Sequence, residues 1–269
     1  ETRAPKRTLI LGPTYSEYSR ELSFSGSTQD YYHLQEAEDF ELDVEDLCRT
    51  LLNGYDFLIL CNPNNPTSSA ISKDEMRALL SFCANRDIFV MIDETYVEFA
   101  PSVQEVTAVP YTKDFSNLMV LRGVSKFYAA PGMRFGYGIT GNKEFLSQMK
   151  EKQIPWSLNS LGAYAGEQMF KDTSYIRQTR SLILTERDRM FLELKKMSSF
   201  KVYFPYGNFI LVKILKPEVT SFDVFEACIK EGLMIRDCSS FQCLDGEFIR
   251  FCIMKPEDNN RLLKVLKTI

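Results

Sequence analysis

Histidine is nearly absent: His33 is the only one in 269 residues. A Cys/His zinc site, a two-histidine metalloprotease helix or a serine triad each needs histidine at a matched position. The neighbours of His33, Tyr31-Tyr32 and Leu34-Gln35, supply no partner, so an ordinary structural role and no metal site are expected. Paired cysteine motifs are also missing. The seven cysteines are odd in number and scattered, and Cys61, Cys83 and Cys252 lie inside apolar runs. That usage fits a reducing compartment, and a cytoplasmic location is expected. No apolar run approaches the roughly 18 residues of a membrane span, and Glu1 to Arg7 does not read as a secretory signal. A net charge of −4 gives no electrostatic reason to bind nucleic acid or an anionic membrane.

Several short apolar runs end in polar clusters. Asp56 to Cys61 leads into Asn62-Pro-Asn-Asn65-Pro-Thr67, Asp87 to Ile92 into Asp93-Glu94-Thr95-Tyr96, and Leu118 to Leu121 into Ser125-Lys126. Between the first two, Ser72-Lys-Asp-Glu75 has the spacing of a capping box ahead of an apolar helix ending at Cys83. Strand, helix, strand reads as a parallel crossover unit. If all three strands share a sheet, Asn65, Asp93, Tyr96 and Lys126 lie at its carboxyl edge, where open α/β sheets bind ligands. Lys126, flanked by Phe127, Tyr128, Ala129, Ala130 and Pro131, is expected to be partly desolvated, which would favour its neutral, nucleophilic amine.

A lysine amine, a carboxylate and a phenol together suit pyridoxal phosphate: the amine forms a Schiff base, and the carboxylate keeps the pyridine nitrogen protonated so that the ring serves as an electron sink. Asn65-Pro-Thr67, Asp93-Glu-Thr-Tyr96 and Ser125-Lys126, with Arg134 eight residues on, resemble the fold-type I aminotransferases of class I/II. Within them the chain looks most like the histidinol-phosphate aminotransferase and threonine-phosphate decarboxylase branch, from Pro13 to the C-terminal helix. The resemblance implies Lys126 as the catalytic lysine and a cofactor site formed by Tyr15, Asn65, Asp93, Tyr96, Ser125, Lys126 and Arg134, with Tyr15 stacked on the pyridine ring. Arg250 alternates with Phe248, Ile249 and Phe251 in a strand, and a guanidinium there suits bidentate capture of a carboxylate. The resemblance assigns it the substrate α-carboxylate and Arg236 a substrate phosphate, with Asn208 contributing to the same site. It also implies a homodimer.

The expected fold class is α/β, with a mostly parallel central sheet, helices on both faces and a smaller C-terminal α+β domain. The expected division is a large cofactor-binding domain over 1–172, a joining helix over 173–197 and the small domain over 198–269. Residues 23 to 42 show no clear period and 97 to 117 read as irregular; Leu233 to Ile235 and Phe248 to Ile253 read as strands. Gly136-Tyr-Gly138-Ile-Thr-Gly141 matches a dinucleotide-binding glycine pattern, but no apolar strand precedes it and no acid follows at the ribose distance, so a closely packed glycine strand is expected instead.

The chain departs from the family at Ser68, where glycine is usual, and at Thr95, where alanine is common. Family members also carry a preceding segment with a glycine-rich turn that holds the cofactor phosphate. The chain is therefore expected to be N-terminally truncated, with weakened cofactor binding. The expected function is transamination of an amino acid or amine, and the expected substrate is a phosphorylated one. The alternatives are a decarboxylase and a noncatalytic fragment that keeps the fold as a scaffold.

Overall fold

The computed structural model describes residues 4–269. The first half alternates strands and helices: β1 (Arg7–Gly12), α1 (Glu17–Ser25), β2 (Thr28–His33), α2 (Val44–Leu51), β3 (Phe57–Cys61), α3 (Lys73–Ala84), β4 (Phe89–Asp93), the single turn α4 (Val103–Val106), β5 (Leu118–Gly123) and β6 (Gly136–Ile139). These strands form one six-stranded sheet in the order β2-β1-β3-β4-β5-β6. All neighbours are parallel except β5 and β6.

Alternation along the strands sends side chains to opposite faces. Leu9, Leu11, Leu58, Leu60, Val90 and Ile92 pack in one cluster with Leu47 and Leu51 of α2 and Met76, Leu79, Leu80 and Cys83 of α3. Ile10, Phe57, Ile59 and Phe89 pack on the other face with Leu22 of α1 and with Phe145. Helices therefore cover both faces, as a parallel sheet requires. The capping box ahead of α3 is formed as expected: Ser72 accepts from the Glu75 amide and Glu75 from the Ser72 amide.

Two expectations are corrected here. The aperiodic stretch before residue 43 contains β2, and much of 97–117 is short helical turns, at Val97–Phe99, in α4 and at Val109–Lys113. The glycine strand is as expected: a Cβ on Gly138 would meet Met119 Cε at 2.2 Å, and one on Gly141 would meet the Thr112 carbonyl oxygen at 1.9 Å. Close packing therefore accounts for both glycines.

The second half comprises α5 (Lys143–Lys152), α6 (Ser160–Lys171), the long α7 (Thr173–Leu194), β7 (Phe200–Val202), β8 (Phe209–Ile214), α8 (Ser221–Lys230), β9 (Arg236–Asp237), β10 (Phe248–Cys252) and α9 (Pro256–Leu266). Its strands form a separate antiparallel sheet ordered β7-β8-β10-β9. Apolar residues of α7, α8 and α9 pack with this sheet. The strand expected at Leu233–Ile235 lies slightly later, at Arg236–Asp237.

Polar anchors hold the two sheets together. Arg187 of α7 is buried and donates to the carbonyls of Phe99, Tyr206 and Gly207. Arg180, two turns earlier, donates to those of Glu98, Ala100 and Pro101. Both therefore grip the segment that follows β4. On the opposite side, Glu36 pairs with Lys213 at 2.6 Å and accepts from the Tyr203 hydroxyl at 2.9 Å.

Candidate active site

β3, β4 and β5 end side by side, with Cys61 in register with Asp93 and Asp93 with Leu121. The segments that leave these ends are the Asn62–Thr67 turn, Glu94–Tyr96 and Val124–Lys126, so adjacency in the sheet gathers residues far apart in sequence. The first segment is tied to the turn after β1: Asn64 donates to the Pro13 carbonyl at 2.8 Å and accepts from the Thr14 hydroxyl at 3.0 Å.

Asp93 is held at both oxygens. Oδ1 accepts from the Thr95 amide at 2.8 Å and the Thr95 hydroxyl at 2.5 Å, and Oδ2 accepts from the Tyr18 hydroxyl at 2.7 Å. Tyr18 was not foreseen from the sequence; only its position three residues after Tyr15, in the first turn of α1, hinted at it. The two rings meet edge to face at 5.7 Å, which places Tyr15, half exposed, beside the carboxylate cluster. Burial pushes the Tyr18 phenol well above its usual range, with Cys61 and Asp93 reinforcing the shift.

Tyr96 is buried edge to face against Phe209 at 5.0 Å. Burial raises its phenol as well, opposed in part by Arg250. Lys126 Nζ lies 5.9 Å from the centre of the Tyr96 ring. Contrary to expectation, Lys126 is exposed and is not boxed in by its neighbours. Phe127 turns into the core against Phe99 at 5.2 Å, and Tyr128 stacks on Tyr175 at 5.9 Å. Ser125 is half-buried, and Arg134, in the left-handed backbone region at φ 51°, is exposed and donates to the Pro131 carbonyl.

Arg236 and Arg250 are direct cross-strand partners on β9 and β10. Arg250 donates to Asn65 Oδ1, and its guanidinium lies over the Phe209 ring at 5.0 Å. This joins the small sheet to the turn after β3. Arg236 donates to Ser240 at 2.6 Å. Both arginines, with Tyr15, Asn65 and Ser240, line a cavity of about 530 Å³ that also meets Ser16, Ser19 and Arg20 of the α1 region. Lys126, Asp93, Ser125 and Arg134 lie outside its lining. Asn208, directly before β8, is also outside that lining, and its Oδ1 is buried without a hydrogen-bond partner, as is Nε of Arg250.

Residues 3–266 match the family model for aminotransferase class I and II. The chain belongs to the class I and II aminotransferases. It is 34% identical over 262 residues to a putative threonine-phosphate decarboxylase of Caldanaerobacter subterraneus subsp. tengcongensis, covering 97% of this chain and 70% of that protein. It is 30% identical over 261 residues to a histidinol-phosphate aminotransferase of Methanococcus aeolicus, covering 97% of this chain and 68% of that protein. Among solved structures, the histidinol-phosphate aminotransferase from Clostridium acetobutylicum superposes with a TM-score of 0.91 at 33% identity, over 98% of this chain and 78% of that one. The fold is therefore fold-type I, and the cofactor of this aminotransferase is pyridoxal 5'-phosphate.

The residues present fit that cofactor. Among the described residues, the Lys126 amine, the Tyr96 hydroxyl and the Ser125 hydroxyl form no hydrogen bond or ion pair with another protein group, and the Arg134 guanidinium contacts only a carbonyl. A carboxylate offers about four acceptor sites, and the protein fills three of them on Asp93. One acceptor for a ring N–H and free donors for a phenolate and a phosphate are what the cofactor requires.

Proposed function

We propose that this enzyme transaminates a phosphorylated amino acid or amine, with Lys126 as its catalytic lysine. The observation that carries the reading is the placement of Asp93 and Lys126 beyond adjacent parallel strands while Asn65 meets Arg250 from the second sheet. The cofactor supplies an electron sink for charge developing at the substrate α-carbon. In this reading Lys126 would hold the cofactor covalently and would carry the proton at the substrate α-carbon. Asp93 would accept from the ring nitrogen, Tyr96 and Asn65 would hold the ring's phenolate oxygen, and Tyr15 would pack against the ring. Ser125 and Arg134 would hold the cofactor phosphate. Arg250, oriented by its bond to Asn65, would take the substrate α-carboxylate, with Asn208, whose Oδ1 has no protein partner, contributing to the same site; Arg236 with Ser240 would take the substrate phosphate.

A second reading, decarboxylation of a phosphorylated amino acid, is favoured by the 34% identity to the relative named as a putative threonine-phosphate decarboxylase. The two readings share the site and differ in which α-carbon bond breaks. Incubating the protein with cofactor and either threonine phosphate, or histidinol phosphate plus a keto acid, separates them. Keto-product without carbon dioxide supports transamination, whereas stoichiometric carbon dioxide replaces it with decarboxylation. No visible cofactor band and no product from either substrate supports a noncatalytic scaffold.

We also propose a cytoplasmic homodimer with the domain division 1–172, 173–197 and 198–269. The seven unpaired cysteines support the compartment. Exposed Ile154, Trp156, Leu161 and Tyr164, with Trp156 at 95% exposure, support burial against a second copy. The position of α7 between the two sheets supports the division. No helix among the described residues is long and apolar enough to cross a membrane.

A further inference from the structure

We infer that Tyr18 is a positioning residue for the cofactor: its hydroxyl fixes the Asp93 carboxylate so that a single acceptor site, on Oδ2, is left for the ring nitrogen. The inference rests on the proposed role of Asp93 as the partner of that nitrogen.

The geometry is specific. Thr95 occupies Oδ1 with two donors, amide and hydroxyl, while Tyr18 occupies one site on Oδ2 at 2.7 Å. Oδ1 is filled by groups two residues away, which orient the carboxylate only locally. Tyr18 is 75 residues distant in sequence and fixes the second oxygen from another element. Two points set the carboxylate plane where one would leave it free to rotate.

A long side chain is needed for this bond. α1 follows β1, and β3 lies between β1 and β4. Neighbouring strands are about 4.8 Å apart, so the donor must reach past one strand end to the next. Tyrosine provides that reach and carries its donor at the tip, whereas serine or threonine does not. The hydroxyl passes Cys61, the last residue of β3, whose own thiol donates to the Pro63 carbonyl at 3.3 Å. The phenol, raised in pKa by this buried setting, remains a donor throughout the working pH range. Because Tyr18 also packs edge to face on Tyr15, just ahead of α1, the entry into α1 sets both the carboxylate and the aromatic ring beside it.

Tyr18→Phe keeps the ring packing and removes only the donor. The test titrates pyridoxal phosphate into wild type, Y18F, D93N and the double variant and follows the visible band of the bound cofactor. Loss of a hydrogen bond to a charged group should weaken cofactor binding in Y18F by about tenfold or more and move the pH midpoint of the band. In the D93N background the same change should alter affinity by less than about twofold, since the effect runs through the carboxylate. In cofactor-free protein the Thr95 amide, which is bonded to the same carboxylate, should exchange about tenfold faster in Y18F. Wild-type affinity and an unmoved midpoint in Y18F would overturn the inference, as would an equal loss in both backgrounds. Absence of any cofactor band in the wild-type protein would instead overturn the functional reading on which the inference rests.

Discussion

Arg236 and Arg250 face each other in register across β9 and β10, and among the described residues neither has a carboxylate partner. Like charges directly opposed in a ladder are destabilising, so this pair is tolerated at some cost to the small sheet. Charge of opposite sign, placed between or beside the guanidinium groups, reverses the sign of that interaction. If the anion is the substrate, Arg236→Ala should lower kcat/KM for a phosphorylated substrate about 10- to 100-fold, the loss expected for one charge-assisted hydrogen bond. The unphosphorylated analogue should be little affected. Steady-state kinetics on both substrates check this, and an equal loss for the two would remove phosphate from the role of Arg236.

Lys126 is exposed and, among the described residues, has no hydrogen bond or ion pair, only the Tyr96 ring 5.9 Å from its amine, which suits the proposed bond to an incoming aldehyde. Borohydride reduction of the cofactor-loaded protein, followed by peptide mapping, should place the pyridoxyl group on Lys126. Lys126→Ala should retain fold and cofactor-phosphate contacts yet lose turnover by at least about 10³-fold, since nucleophile and proton carrier are lost together. Label on another lysine with Lys126 unmodified would refute the assignment.

How far the sequence revealed these features depended on the kind of signal each one carried. β3, β4 and β5 were legible because each is a short apolar run that terminates in a polar cluster; β3 is buried throughout, β4 nearly so, and β5 alternates buried with half-buried residues. β2 was not, because Thr28-Gln-Asp-Tyr-Tyr-His is an edge strand whose residues are half-buried or exposed, with no alternation to detect. β9 was displaced because its pairing with β10 defines it, while the apolar Met234 before it is exposed. Around Lys126, composition suggested a desolvated amine, yet the aromatics follow their own packing partners, Phe99 and Tyr175, and turn away. The Tyr18–Asp93 bond depends on a strand order that local patterns do not specify.

Directly after Asp93, Glu94 is fully buried and held by Arg122 at 2.7 Å, by the Thr107 hydroxyl at 2.9 Å and by the Ala108 amide. This cluster ties the ends of β4 and β5 to the segment ahead of residue 109 and so fixes the spacing between Asp93 and Lys126. Arg122→Met should destabilise the protein by about 3–5 kcal/mol, because it leaves a buried carboxylate without its cation. The Arg122→Met, Glu94→Gln double variant should recover part of that loss. Denaturant unfolding measures both, and a single variant within 1 kcal/mol of wild type would show that the pair is not a structural anchor.

Gly141 closes the sequence that resembles a dinucleotide fingerprint, and any Cβ there collides with the Thr112 carbonyl. Gly141→Ala should therefore cost about 1–3 kcal/mol through forced backbone displacement, with no change in cofactor affinity once the folded fraction is accounted for. Thermal unfolding and cofactor titration together test this. A stable G141A protein with weakened cofactor binding would contradict the packing role.

Glu98, two residues beyond Tyr96, has Oε2 buried without a hydrogen-bond partner. Burial pushes its carboxyl up to about 7, with Glu94 adding to the rise while Arg122 and Arg180 oppose it. Because the folded value lies above the ordinary 4.5, the folded state binds the proton more tightly than the unfolded chain does. The protonated residue therefore contributes stability that is fully present below about pH 4.5 and is lost as pH rises through about 7. For a residue only partly shielded from solvent, the change amounts to about 2 kcal/mol. Glu98→Gln keeps the shape and abolishes the titration, so its stability relative to wild type should increase across that interval and level off above it. Unfolding free energies of the two proteins at pH 5, 6, 7 and 8 give the comparison, in which the shared titration of all other groups cancels. A constant difference across that range would show that Glu98 does not titrate there.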